Sequence, residues 1–327
     1  MVRRARIKID GFAYSPKLTY KIELGLTSRD LAIVSPETRN TPGIVYDMVL
    51  KWNFYGNFSL WVGQTKLPDN RERVVSSSSL QFVDRSLVNA YFNIDRDMGF
   101  QLHHHFIIGN KFLIRDIWSV SQGEGRNVAV DNLGGYDWTA RIELLPFGAF
   151  TKKGDYIEGD VYREQTPKLS VGATYDWHDR AVKTQGNLGK YMYNDAGYFE
   201  TNIATIFVDM IFKYKGFSIL SEYADKRAEK PLALNTDGSP TGQYVLAGRG
   251  IVGQMGYLFK NNIEIAARYT EVHFDSRINR KPEYEYTLGL SKYIVNHKLK
   301  VQSDVSYREI PGKDPGVRYR LQMELHL

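Results

Sequence analysis

The sequence contains no cysteine, so disulfide bonds and thiol chemistry are excluded. It also contains no run of 18 apolar residues, which excludes a helical membrane span. Met1 is followed directly by Val-Arg-Arg-Ala-Arg, which lacks the apolar region of a secretory signal. The net charge of +6 over 327 residues is modest and does not indicate a nucleic-acid partner. None of these absences excludes a membrane β-barrel, because a barrel strand turns only every second residue towards lipid.

Alternation of apolar and polar residues recurs along almost the whole chain. Residues 167–177, for example, place Leu169 and Val171 on one face and Lys168 and Asp176 on the other. Fifteen segments follow this pattern, and most approach the roughly 9–11 residues that a tilted barrel strand needs. They lie near residues 3–12, 17–27, 43–53, 57–66, 97–107, 111–120, 135–146, 167–177, 203–214, 216–226, 248–259, 261–271, 283–294, 297–308 and 316–327.

A soluble sandwich or a β-solenoid would also alternate, but two observations favour a membrane barrel. The polar faces repeatedly carry full charges, while the apolar faces carry Trp and Tyr near their ends, as interface girdles do. The links between segments are in addition alternately short and long, although the link at 147–166 breaks this rule. Outer-membrane barrels have short periplasmic turns and longer outer loops. The sequence therefore predicts an all-β fold, a transmembrane antiparallel β-barrel formed by one domain over residues 1–327.

The alternation of link lengths also predicts the number of strands. If the short links are periplasmic, the first segment begins outside the cell, and a chain that enters from the periplasm needs one strand before it. Fifteen plus one gives sixteen, and bacterial single-chain barrels have an even number of strands. We therefore expect one strand and the export signal to lie upstream of this numbering.

Residues 67–96 form the longest polar insert between two alternating segments. The insert includes four consecutive serines at 76–79 together with charges of both signs, and it has no sustained period. Inserts of this length are usually functional elements or disordered. We predict that residues 67–96 fold into the lumen as a constriction loop.

Short patterns in the first 87 residues resemble those of the phosphate-selective porin O and P family of Gram-negative outer membranes. Arg3-Arg-Ala-Arg6 opens a strand, and Gly63-Gln64 with Lys66 and Pro68 ends one. A stretch similar to the family's Leu-Thr-Phe-x-Glu-Arg-Ser-Leu follows, carried by Ser78, Leu80, Phe82, Arg85, Ser86 and Leu87. The resemblance implies a 16-stranded channel, often trimeric, with a constriction loop inside. In two places the chain differs from the family: Asp69 replaces the usual Phe, and Asp84 stands where Glu is common.

The polar faces predict the charges of the lumen. Segments near both chain ends are mainly basic and become neighbours when the barrel closes. The middle segments are mainly acidic, so we expect a positive wall opposite a negative wall. Arg71, Arg73 and Arg85 on the insert add a weak preference for anions. The alternative is that many of these charges pair across strands within the wall and only keep the lumen wet. The acidic set comprises Asp137, Glu143, Asp176, Asp209, Glu222, Glu264, Glu283 and Glu285. The candidates for lining the pore and contacting anions are Arg4, Arg6, Lys8, Lys21, Lys51, Arg71, Arg73, Arg85, Arg318 and Arg320.

Two weaker patterns do not change this interpretation. His103 and His105 share one face of a segment, but two imidazoles are an incomplete metal site. The serines at 76–79 come with no acid and histidine whose arrangement the sequence fixes, so an outer-membrane hydrolase is a weaker alternative.

The predicted function is passive diffusion of small hydrophilic solutes and ions across the Gram-negative outer membrane. The predicted partners are outer-membrane lipid, small solutes or inorganic anions such as phosphate, and further copies of the chain in a homotrimer. No nucleic acid, cofactor, metal or enzymatic activity is expected. The alternative is a plugged structural or partner-binding barrel within a larger outer-membrane assembly.

Overall fold

The computed structural model describes residues 2–28, 30–31, 34–40 and 42–326. Over these residues, fifteen strands form one antiparallel sheet, in which each strand pairs with the next one along the chain. These strands are β1 (Arg6–Ala13), β2 (Ser15–Gly25), β3 (Val45–Tyr55), β4 (Phe58–Lys66), β5 (Arg96–Ile108), β6 (Phe112–Ser121), β7 (Asp137–Leu145), β8 (Lys168–Ala181), β11 (Thr201–Tyr214), β12 (Phe217–Ala228), β15 (Gly248–Leu258), β16 (Ile263–Phe274), β17 (Glu283–Val295), β18 (Leu299–Glu309) and β19 (Gly316–Leu325). The fifteen predicted segments are confirmed, with differences of a few residues at their ends.

The remaining elements are short and lie in the connections. Two small hairpins are formed by β9 (Tyr193–Asn194) with β10 (Gly197–Tyr198), and by β13 (Leu232–Leu234) with β14 (Pro240–Tyr244). The α-helices are α1 (Arg71–Val74) and α2 (Leu87–Phe92), and 3₁₀ turns occur at Pro36–Thr38, Ser77–Ser79, Thr151–Tyr156 and Ser276–Ile278. In the described part of the chain, no helix has the length and apolar character needed to cross a membrane.

Strand β11 illustrates how the wall is built. Its outward residues Ile206 and Val208 are 43% and 44% exposed, as expected for side chains that face lipid. Its inward residues Thr205, Asp209 and Lys213 are at most 1% exposed. The polar side chains of this strand are therefore buried, because other parts of the protein fill the lumen beside it.

The connections differ between the two ends of the sheet. At one end the turns are tight, and Gly109, Lys215 and Asn296 adopt left-handed φ angles of 62°, 48° and 46° to reverse the chain. At the other end the loops are longer, and the two small hairpins belong to them. The link at residues 146–167 is the exception, since it starts at the end with the tight turns but is long.

Strands β1 and β19 are the edges of the sheet, and the structure shows no pairing between them over the residues it describes. In an antiparallel sheet of fifteen strands, the first and last strands run in the same direction. Closure by antiparallel pairing therefore requires one further strand between them. The sixteenth strand stays a prediction.

Candidate functional site

A loop formed by residues 67–95, here called the first inner loop, folds into the lumen and packs against one side of the wall. Its apolar side chains pack against the inner face of β11, β12, β15 and β16 and form one buried cluster with them. The loop contributes Leu67, Leu87, Val88, Phe92 and Ile94, and the strands contribute Phe207, Ala224, Val252 and Val272. Glycines on the wall make this close packing feasible. A Cβ atom at Gly250 would lie 2.9 Å from Val88, and one at Gly289 would lie 2.9 Å from the Phe82 ring.

Buried polar contacts fix the same loop to the wall. The Arg71 side chain is fully buried, with its Nε 3.0 Å from Asp209 Oδ1 and its Nη1 3.1 Å from Glu143 Oε1. Gln81 donates from Nε2 to Glu264 Oε1 at 2.7 Å. The wall carboxylates thus serve as partners for the loop, as burial of charge requires.

Residues 146–167 form a second inner loop, which enters the lumen from the end with the tight turns. The Lys213 ammonium holds it by donating to the carbonyl oxygens of Gly154, Ile157 and Gly159 at 2.8, 2.7 and 2.5 Å. The two inner loops also meet directly. Glu158 donates its backbone N–H to the Ser79 carbonyl at 2.9 Å, and its Oε2 accepts from the backbone N–H of Gln81 at 2.8 Å.

These contacts change the expected electrostatics of the lumen. All eight acids of the predicted negative wall are at most 5% exposed. Most are covered by the inner loops and by the basic side chains that pair with them, and Glu285 is the one among them that reaches the open lumen. The expectation of a negative wall that faces the solute is therefore wrong, because tertiary packing uses those carboxylates as anchors.

The open part of the lumen lies on the opposite side, mainly along β1 to β6 and β17 to β19. It forms a cavity of about 1300 Å³. Leu188 and Arg308 line it near the long loops, and His105 and Lys153 line it near the tight turns. One continuous cavity therefore reaches from one end region of the barrel towards the other.

Charges along this cavity are unbalanced. Each acid among the described residues that line it has a basic partner within ion-pair distance; these acids are Glu23, Asp30, Asp47, Asp84, Asp95 and Glu285. Six basic side chains that line it have no carboxylate within ion-pair distance in the described part of the chain: Lys51, Lys66, Arg85, Arg126, Lys153 and Arg318. The described residues that line the cavity consequently carry an excess of positive charge.

Two of these basic side chains instead bind backbone carbonyls of the first inner loop. Lys66 Nζ donates to the Arg73 and Val74 oxygens at 2.8 and 3.1 Å, and Arg85 donates to the Glu72 and Val75 oxygens at 2.8 Å each. Burial and the adjacent Arg73 guanidinium lower the pKa of Arg85 to about 9, so Arg85 remains charged at neutral pH. Arg85 therefore brings positive charge to the side of the cavity that the first inner loop forms.

The structure places the sequence-predicted site residues in three environments. Those that line the cavity are Arg4, Arg6, Lys21, Lys51, Arg73, Arg85, Arg318 and Arg320. Lys8 lies outside the cavity near the open edge of the sheet, where its Nζ is 2.9 Å from Asp10 Oδ1. Arg71 belongs to the first inner loop, and its side chain is buried between that loop and the wall, without access to solute.

Sequence reasoning missed Lys66, Arg126 and Lys153. Arg126 belongs to an outer loop and is brought to the cavity by stacking on Tyr46, whose ring centre lies 4.0 Å from the Arg126 guanidinium and 4.1 Å from that of Arg6. Burial lowers the pKa of Arg126. Its position depends on contacts between distant segments, so alternation could not reveal it. Lys66 could have been recognised from the sequence as a candidate, because it is the last residue of a strand and directly precedes the insert.

Of the two inward histidines, His105 lines the cavity and His103 contacts neighbouring side chains. His103 stacks on Trp61 with ring centres 3.9 Å apart, and its Nε2 lies 3.0 Å from Gln101 Oε1. Across the described residues, no group of three or more His, Asp or Glu side chains is arranged to hold a metal ion.

Comparisons with known proteins agree with this architecture. A family model described as phosphate-selective porin O and P matches residues 1–310. An uncharacterised protein of Aquifex aeolicus is 26% identical in an alignment of 301 residues that covers 84% of this chain. The chain spans 66% of the length of that relative.

Solved structures with the same fold are outer-membrane barrels. Salmonella typhi OmpF, in a complex with daunomycin, is 14% identical and has a TM-score of 0.56, with 95% of this chain and 84% of that chain covered. An anion-selective porin from Comamonas acidovorans is 9% identical and has a TM-score of 0.52, with 98% and 86% covered. These likenesses concern the fold, whereas the family assignment rests on the sequence model that covers residues 1–310. The chain therefore belongs to the phosphate-selective porin O and P family and is an outer-membrane β-barrel protein of a Gram-negative bacterium.

Proposed function

We propose that the protein is a passive diffusion channel for small hydrophilic solutes, with a weak preference for anions. One observation carries the proposal: among the described residues, each acid that lines the cavity has a basic partner, while six basic side chains that line it have no carboxylate partner. Charges that line a pore attract ions of opposite sign and repel those of like sign. The excess positive charge thus favours anions.

The positions of these cations support a general preference over a single phosphate-specific site. Lys51 is on β3, Arg318 on β19, Arg126 in an outer loop and Lys153 in the second inner loop. Donors spread in this way act on any passing anion, inorganic phosphate included. The cavity of about 1300 Å³ that runs between the two end regions supports an open lumen over a plugged structural barrel. The proposal assigns no catalytic step to the chain.

The test is the reversal potential of purified protein in a planar bilayer under a potassium chloride gradient. We expect a shift towards the chloride equilibrium potential, and a smaller shift for Lys51→Gln and Lys153→Gln. Lys152→Gln is the matched control, since Lys152 is next in sequence to Lys153 but does not line the cavity. Discrete conductance steps with no reversal shift would remove the anion preference, and a folded protein without steps would favour the plugged barrel.

We also propose that the protein assembles as a homotrimer, as the family resemblance implies. On the outward face of β5 and β6, His104 Nδ1 lies 2.9 Å from Asp116 Oδ1, and Trp118 Nε1 donates to Asp116 Oδ2 at 3.2 Å. A charged side chain is unfavourable against lipid, so a seam between copies is a more suitable environment for this patch. Native mass spectrometry in detergent should give a trimer mass, and a monomer mass alone would contradict the assembly.

A further inference from the structure

The wall of the cavity contains an aromatic group that a channel for hydrated inorganic ions does not need. Trp61 on β4 faces the lumen between Lys51 on β3 and His103 on β5. Lys51 Nζ lies 3.6 Å from the Trp61 ring centre, and the His103 ring centre lies 3.9 Å from it. Because β3 and β5 flank β4 on opposite sides, the ammonium and the imidazole cover opposite faces of the indole. The indole edge is left to border the cavity.

An aliphatic side chain extends this surface. Ile117 on β6 is the register partner of His103 and also lines the cavity. Leu113, on the same face of β6, packs with Phe150 and Leu145 in a buried cluster, so its inward position is explained by packing. Ile117 belongs to none of the apolar clusters that the described residues form. Trp61, His103 and Ile117 therefore form a continuous lumen-facing stripe, here called the apolar track.

The opposite side of the cavity is also partly apolar. Pro68 and Val74 of the first inner loop line it, close in sequence to Lys66. A hydrated inorganic ion does not remove the apolar surface of the lumen from water. A solute with an apolar body does, and this contact lowers the free energy because apolar surface on both sides leaves water. The combination of two apolar sides and unpaired cations suits a flat solute that is apolar at one end and anionic at the other.

We propose that the preferred solutes are small carboxylates with an aryl or branched alkyl body. This inference rests on the proposed channel function and specifies its solute class. The carboxylate interacts with the Lys51 ammonium, which has no acidic partner among the described residues, and the body of the solute slides along the apolar track. Acetate and inorganic phosphate have the charge but lack the apolar body.

The experiment compares benzoate with acetate in the same purified channel, from reversal potentials under bi-ionic conditions. We expect the permeability ratio of benzoate to acetate to exceed one, although benzoate is the larger ion. Loss of one aromatic or aliphatic contact should lower the ratio about threefold in Trp61→Ala and in Ile117→Thr. Ile117→Thr keeps a β-branched side chain on the strand, so it provides a second test if Trp61→Ala fails to fold. Trp138→Ala is the control, since Trp138 is 54% exposed on the outward face.

The outcomes separate this inference from the proposed function. A benzoate-to-acetate ratio below one that stays the same in Trp61→Ala and Ile117→Thr would overturn the solute class. If potassium chloride still gave a shift towards chloride in that case, the anion channel would stand without the apolar track. A channel with no chloride shift would instead contradict the proposed anion preference, whatever the benzoate result.

Discussion

At the scale of single residues, the inward charges have two different roles. Lys51 and Lys153 border open lumen, whereas Arg71, Lys213 and Lys226 are at most 1% exposed and hold loops or wall carboxylates. Both kinds lie on polar faces or inserts, and both look alike in the sequence. The difference arises because an ion inside a protein needs partners, while an ion in water does not.

Replacement of Arg71 tests its role as an anchor. Arg71→Met removes the contacts to Asp209 and Glu143, but Arg141 still lies 2.7 Å from Asp209 Oδ2 and 3.0 Å from Glu143 Oε1. We therefore expect a loss of about 1–3 kcal/mol, the range for one charged hydrogen-bonded group. When samples are heated in steps before electrophoresis, the temperature at which the folded band disappears should be lower than for the parent protein. Single-channel conductance should rise because the first inner loop loosens.

Arg227→Met is the matched control for Arg71→Met. Arg227 lies 2.6 Å from Asp225, but its side chain is 76% exposed on the outward face. Solvent screens such pairs, so this variant should keep both the melting temperature and the conductance of the parent protein. Equal effects of the two substitutions would contradict the anchor role.

At the scale of elements, the two inner loops stabilise each other inside the lumen. Their contact centres on Glu158, whose Oε2 accepts from the Gln81 N–H at 2.8 Å and from Gln254 Nε2 at 3.0 Å. Burial, together with the nearby Glu72 carboxylate, raises the pKa of Glu158 to about 7. Burial keeps the pKa of His297, which contacts the Glu158 carbonyl, well below its usual range, so His297 stays neutral here.

The raised pKa makes the contact between the loops dependent on pH. Because the pKa of Glu158 is 4.5 when unperturbed, the folded protein retains a proton that the unfolded chain releases between 4.5 and about 7. Stability from this contact is thus complete below that window and decreases as pH rises through it. We expect open-channel current noise to increase from about pH 5.5 to about pH 8.5.

Glu158→Gln provides the control for the pH effect, because its amide has a similar shape and does not ionise. The variant should show quiet current at both pH values. The variant leaves the neighbouring charged groups Arg268, Lys213 and Lys300 unchanged. If the pH response were the same in Glu158→Gln as in the parent protein, the effect would belong to a different group, and the prediction would be contradicted.

At the scale of the whole molecule, closure of the barrel depends on the two edge strands, β1 and β19. Since these strands run in the same direction, antiparallel closure places one strand between them. Neighbouring strands are about 4.8 Å apart, so the separation across one strand is about 10 Å. A disulfide bond needs Cα atoms within about 7 Å and would not span that gap.

Introduced cysteine pairs measure this separation directly, on a chain that has no native cysteine. Ile9→Cys with Ile22→Cys is the positive control, because Ile9 and Ile22 are register partners on β1 and β2. We expect that pair to oxidise to a disulfide in the folded protein. Ile9→Cys with Leu321→Cys should resist oxidation yet react with a bismaleimide of about 10 Å reach, given the expected strand separation. A disulfide between positions 9 and 321 would mean that β1 and β19 pair directly.

Much of the wall could be predicted from the sequence because its signals are local. A strand such as β8 is recognised from alternation within about ten residues, and neighbouring strands pair through the connection that joins them. The polar face of each strand was also recognisable, and eight of the ten predicted site residues line the cavity. The same local patterns predicted a loop inside the lumen from the length and polarity of residues 67–96.

The sequence by itself therefore determined the barrel, its inward face and the presence of the insert. Only the tertiary structure decided which charges meet solute. Arg71 contacts Asp209 across 138 positions, and Gln302 contacts Leu80 across 222. Contacts over such distances turned the acidic wall into an anchor and left the basic side open. No periodicity encodes that choice, because alternation fixes the side of the sheet on which a residue lies but not which groups come to cover it.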